Sequence, residues 1–206
     1  NGATGFGGVL DPDLGQPRKA LFMSDSSCLG LLEFNSIASG IVATDALLKQ
    51  AAVRVLVAKT VCPGKYIVLF TGEVEEVRSS LVRGKEAGGG AVIDELFLPN
   101  AHPTLIPAVE AVTEVKTVEA LGVIETFSVA SALVAADIAV KKAEVFLIEV
   151  RLAMGIGGKS FVTLTGEVAD VRDAVNAGSA LVKERGLLVR DVVIPQAHPD
   201  LARWLM

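Results

Sequence analysis

Few side chains in this sequence are suited to bond-making or to holding a metal, and they come in pairs. Cysteine occurs twice, at Cys28 and Cys62, and histidine twice, at His102 and His198. Cys62 stands in the run Val61-Cys62-Pro63-Gly64-Lys65, which reads as a tight turn because proline fixes one φ angle and glycine permits the next. A thiol beside such a turn can present its sulfur outward, where the thiolate is a ligand for soft cations. The ordinary alternative is a small apolar filler, and Cys28, just ahead of the first strand-like run, is read that way. The two histidines stand 96 positions apart on separate units, so both are read as packing residues rather than as acid–base catalysts. Glu33 and Glu125 recur at matching places and suit one structural role each. Gly155-Ile156-Gly157-Gly158-Lys159 ends like a phosphate-binding loop, but Ala153 occupies the place of the first glycine and Ser160 opens a strand-like run instead of a helix. Nucleotide binding is therefore set aside.

The elements that position these residues are written twice. Leu29-Gly30-Leu31-Leu32-Glu33 returns as Leu121-Gly122-Val123-Ile124-Glu125, 92 positions later, and Ser36, Asp45 and Lys49 return as Ser128, Asp137 and Lys141 at the same interval. Gly64-Lys65 and Thr71-Gly72-Glu73-Val74 return 94 positions later, and Pro99 and His102 return 96 later as Pro195 and His198. Two units of about 90 residues thus lie in tandem. In each, alternation and helical spacing predict the order β-α-β-β-α-β-α, an α+β fold with helices over one face of an antiparallel sheet. In the first unit Leu29–Phe34, Val53–Ala58, Tyr66–Thr71 and Ala91–Leu98 read as strands; Ser36–Gln50 and Glu73–Ala87 read as the main helices, and Pro103–Val109 as a short closing one. The units are placed at 28–112 and 118–206, joined by the charged segment 113–119. Residues 1–27 are rich in glycine and proline, lack a period, and are read as a flexible extension or leader with Met23 a candidate start.

Composition limits the partners. A net charge of −5 leaves no basic footprint for nucleic acid. The longest charge-free stretch, Leu96–Val109, has 14 residues and three prolines, against the roughly 20 apolar residues of a spanning helix. Half the chain is apolar and only 5% aromatic, so much surface is expected to be buried in packed or interfacial contacts. Two cysteines do not make a disulfide framework, which suits a reducing compartment.

In this order and duplicated, G-x-x-E-x-x-S, D-x-x-x-K, a glycine turn before a strand ending in G-E-V, and a late P-x-x-H resemble the bacterial microcompartment shell domain. Two such domains in unpermuted order resemble its tandem-domain, trimeric class. The resemblance implies a flat pseudohexameric tile of three chains, packed edge to edge with other shell proteins around an enzyme lumen in the bacterial cytoplasm. It further implies a central pore lined by Cys62, Pro63, Gly64 and Lys65 and by Gly155, Ile156, Gly157, Gly158 and Lys159. Glycines would allow loops to approach closely at that crowded axis. Lys49, Lys141, His102 and His198 would lie at the tile edge; both lysines are expected to be exposed, so that removing either changes stability by no more than about 0.5 kcal/mol. The family often has arginine two residues before the histidine, whereas Asn100 and Gln196 stand there. Three Cys62 thiolates around the axis could hold a [4Fe-4S] cluster, with Lys65 and Lys159 offsetting its charge, and such a tile would serve encapsulated redox enzymes by electron transfer or conduct metabolites. The competing class is a trimeric metabolite-binding protein or enzyme with sites between subunits, for which no converging acid, base and nucleophile is found in the sequence.

Overall fold

Each half of the chain builds one four-stranded antiparallel sheet, and the computed structural model describes residues 28–113, 115, 117–153 and 155–205. The expected extension, residues 1–27, lies outside the described residues. In the first unit β1 (Cys28–Phe34), α1 (Ile37–Gln50), β2 (Arg54–Val61), β3 (Lys65–Gly72), α2 (Val74–Gly88), β4 (Val92–Leu98) and α3 (Leu105–Val109) follow one another, with a short 3-10 turn at Gly89–Ala91. The second unit repeats them as β5 (Ala120–Thr126), α4 (Val129–Lys142), β6 (Phe146–Leu152), β7 (Ser160–Gly166), α5 (Val168–Glu184), β8 (Leu188–Ile194) and α6 (Pro199–Ala202). Strand order is β2-β3-β1-β4 in one sheet and β6-β7-β5-β8 in the other.

Local chemistry explains the helix starts. The Ser36 and Ser128 hydroxyls accept from the backbone N–H groups of Ser39 and Ser131, satisfying donors that a helix leaves free at its N-terminus. Glu73, expected inside the second helix, caps it instead: its backbone N–H donates to the Glu76 carboxylate at 3.3 Å. The strands alternate between two environments. Cys28, Leu32 and Phe34 of β1 pack with Ala43 and Leu47 of α1 and Val77 and Leu81 of α2, whereas Leu29 and Leu31 point to the opposite face. There they join a core that also holds Leu105 and Ala108 of α3 and runs on into the second unit through Leu147, Val150 and Leu152 of β6. The short helix α3 at the end of the first unit therefore packs chiefly on β6 and α4 of the second unit.

The changing repeat interval has a location. Between Val61 and Lys65 the chain has three residues, whereas the sequence of the second unit has five at the equivalent place, 154–158; α5 is 17 residues long against 15 for α2. The two insertions thus fall in one loop and in one helix, and neither disturbs a strand.

Candidate functional site

β2 and β3 extend further toward each other than their apolar runs suggest, so Cys62, Pro63 and Gly64 alone form the turn. Gly64 has φ +80°, a conformation that glycine adopts without a Cβ penalty. The Cys62–Pro63 peptide is cis. Cys62 is a free thiol of intermediate exposure at the tip. The longer second loop comes up against this turn: Gly158, at φ +83°, lies so close to the Cys62 carbonyl that a Cβ there would stand 2.9 Å from the oxygen. Lys159 N–H donates to the Ile156 carbonyl at 3.3 Å and closes that loop. The two loops that the resemblance places at a common axis are in contact within one chain.

At the base of each loop sits the same ion pair. Lys65 Nζ is 2.8 Å from Glu33 Oε1, with Glu33 almost fully buried, and Lys159 Nζ is paired with Glu125 in the second unit. The repeated glutamates thus anchor the first residue after each loop, and each pair is electrically neutral. The lysines expected to offset a cluster's charge are already matched by carboxylates of their own units. Cys28 lies at the far end of the sheet, since β1 starts opposite Gly72 while the Cys62 turn precedes Lys65 at the other end of β3. Seven residues of strand separate the two levels, about 23 Å. Burial, the larger effect, pushes the Cys28 thiol above its ordinary range, with Arg78 opposing and Glu73 reinforcing the shift. Cys28 is inert packing and cannot join Cys62 on one ion.

Of the remaining candidate residues, Lys141 and His102 meet at a seam between the two units. Lys141 Nζ donates to Asp137 Oδ2 and to the Asn100 carbonyl, both at 2.6 Å. His102 N–H donates to Asp137 Oδ1 at 2.7 Å, and the His102 ring is 2.8 Å from the Thr104 hydroxyl. Ser128 Oγ donates to Asp94 of β4 at 3.0 Å. Asn100 has φ +56°, which asparagine tolerates better than most residues; its contribution is a backbone carbonyl, so the family's arginine is not required for this bond. The equivalent residues of the first helix are free of such contacts. Lys49 reaches only Asp45, at 2.6 Å, and both are well exposed; His198 merely accepts from Asp200 N–H at the start of α6. Lys49 and Lys141 are thus unlike in their partners: both are exposed, but only Lys141 bridges the two units. Lys49→Ala should change stability by less than about 0.5 kcal/mol. Lys141→Ala removes two charge-assisted bonds beside a buried carboxylate and is expected to cost about 1–2 kcal/mol, measured by chemical denaturation. Asp94 is not marked by any sequence signal, and Asp137 is marked only as the repeat of Asp45 in D-x-x-x-K, without its partners.

The BMC domain model matches twice, over residues 28–101 and 120–197. The chain belongs to the bacterial microcompartment shell-domain family. It is 42% identical over 181 residues to the bacterial microcompartment shell protein PduT of Citrobacter freundii, covering 88% of this chain and 98% of that protein. Single-domain shell proteins match one unit: EutM of Salmonella typhimurium is 41% identical over 83 residues, 40% of this chain and 84% of its own. Among solved structures, a microcompartment protein from Desulfitobacterium hafniense DCB aligns with TM-score 0.83 and 55% identity, covering 85% of this chain and 98% of that one. The chain is a shell protein of the tandem-domain type.

Proposed function

We propose that three copies of this chain close head to tail into a pseudohexameric tile of a microcompartment shell, with Cys62 of each chain at the central axis. The observation that carries this reading is the unequal burial of equivalent helices. Leu133 and Val129 of α4 are fully buried against the first unit, while their counterparts Ile41 and Ile37 of α1 are 55% and 39% exposed. An apolar face that one copy of the repeat must cover needs the same cover on the other copy. The second unit of a neighbouring chain offers it, with Gln196 and His198 standing where Asn100 and His102 receive α4. A heterologous contact of this kind makes a ring when the rotation closes. Neighbouring tiles and other shell proteins would then meet along the rim, placing the chain in a shell within the bacterial cytoplasm, and encapsulated redox enzymes are the partners if the axis carries electrons.

The axis turn fits an iron–sulfur cluster in its donor set. Each chain supplies one half-exposed thiol at a turn tip, and no group of three potential ligands gathers in one chain among the described residues. Three thiolates must therefore come from three chains, leaving one iron of a [4Fe-4S] cube without a protein ligand. When bound, such a cluster supplies one-electron transfer across the tile. The chain's own part is to hold Cys62 at the tip, to keep the facing loop free of side chains at Gly155, Gly157 and Gly158, and to fix both loops through the Glu33–Lys65 and Glu125–Lys159 pairs. Anaerobic reconstitution with iron and sulfide should load one cube per trimer, seen in visible absorbance and in paramagnetic resonance after reduction. Cys62→Ser should lose the signal and Cys28→Ser keep it. Equal uptake by wild type and Cys62→Ser would leave a plain metabolite pore, and a monomeric wild type in sedimentation would end the ring reading.

A further inference from the structure

The strands that lead into the two axis loops each carry a cation at the same register position. Lys59 of β2 lies opposite Ile67, and Arg151 of β6 lies opposite Phe161. Ile67 belongs to the core on the side of the sheet away from α1 and α2, so Lys59 points to that side too. Arg151 is provided for: its Nε is 2.7 Å from Glu149, and its guanidinium lies 5.5 Å from the centre of the Phe161 ring. In the first unit Val57 stands where Glu149 stands in the second. Lys59 has no ion pair or hydrogen bond among the described residues, and it is only partly exposed. Burial chiefly, and the charge of Arg151 second, pull its ammonium below the ordinary lysine range. Lys65 and Lys159 are neutralised by Glu33 and Glu125, so Lys59 is the cation left over near the turn, three residues before Cys62. A partly desolvated charge beside a like charge is unfavourable unless an anion joins them.

We propose that Lys59 and Arg151 alternate as a six-membered cationic collar around one mouth of the central opening, and that the collar binds small multivalent anions bearing phosphate or carboxylate groups. This rests on the threefold ring proposed above. In a ring of six positions the spacing between neighbours equals the radius, so every Lys59 stands between two Arg151 side chains and an anion on the axis meets all three lysines at equal distance. The three unmatched charges give the mouth an attractive field for anions that a neutral pore lacks, and such focusing weakens with salt.

Isothermal titration with inorganic pyrophosphate and, separately, with citrate tests the collar on protein whose trimeric mass is verified by native mass spectrometry. Wild type should bind at about one per trimer at low salt, and Lys59→Gln should bind on the order of tenfold more weakly. Lys59→Arg should retain binding, and Lys59→Met, which keeps the apolar stem, should match Lys59→Gln if the charge is what matters. Pyrophosphate binding without citrate binding, or the reverse, would assign the collar to phosphates or to carboxylates. A trimeric wild type that binds neither, or a trimeric Lys59→Gln that binds as tightly as wild type, overturns the collar and leaves the ring intact. A wild type that is not a trimer overturns both.

Discussion

Ile41→Asp should give a folded monomer. In the single chain Ile41 is more than half exposed on α1, so its replacement should change the stability of the isolated chain by no more than about 0.5 kcal/mol. In the proposed ring the same side chain would take the place that Leu133 occupies within the chain, where it is fully buried. Each seam then forfeits about 1.5–2 kcal/mol of apolar burial. It must also take a carboxylate out of water, which costs more than the lost burial, and Asp45 one turn away repels it further. Because the ring closes only if all three seams form, the penalties act together. Sedimentation velocity should show the trimer boundary replaced by a monomer with unchanged helical circular dichroism. The equivalent change in α4, Leu133→Asp, puts the charge inside the chain's own core and should prevent folding. A trimer that survives Ile41→Asp would mean that α1 faces something other than a neighbouring copy.

Gly178→Ala should be among the most destabilising small substitutions in the chain. A Cβ at Gly178 of α5 would stand 2.6 Å from the Ala135 carbonyl oxygen of α4 and 2.9 Å from Ile124 Cδ1. The nearer obstacle is backbone, so the two helices themselves must separate. Overpacking of this kind costs about 1–3 kcal/mol or more, while alanine's better helix propensity returns only about 1 kcal/mol. Gly84, the matching residue of α2, differs in a way that decides the sign. Its Cβ would meet Leu32 Cδ1 at 2.7 Å, the movable end of a side chain, and Leu47 beyond it at 3.3 Å. Gly84→Ala should therefore lose clearly less than Gly178→Ala in guanidinium titrations. Equal losses would mean that the α4–α5 crossing is as adaptable as the α1–α2 crossing.

The tandem plan, the strand and helix order and the turn at Cys62 were legible in the sequence because they depend on local pattern and on repetition. Ser36 and Ser128 announced the helix starts, and Pro63-Gly64 announced the turn. What lies between the units was not legible. α1 and α4 share the same spacing of apolar residues, yet one face is buried and the other open; the difference comes from which neighbour the chain's own connection brings alongside, and no helix carries that in its period. Lys49 and Lys141 looked alike for the same reason. The Glu33–Lys65 pair was hidden by sequence distance, since 32 residues separate partners that adjacent strands bring to 2.8 Å. The N-terminal reading falls outside the described residues.

The seam inside the chain also changes the arithmetic of assembly. A ring of six separate domains must collect six molecules, and its yield falls steeply on dilution. Here every second junction is already formed as the chain folds, so the proposed ring needs only three encounters, each between larger and partly organised pieces. Covalent linkage also ends the equivalence of neighbours. Six identical domains can only place six copies of one group about an axis, whereas a duplicated chain can let odd and even places drift apart: a thiol at one and bare glycine backbone at the next, a matched arginine at one and an unmatched lysine at the next. Duplication has replaced mere repetition by alternation, at a stoichiometry that dilution cannot alter.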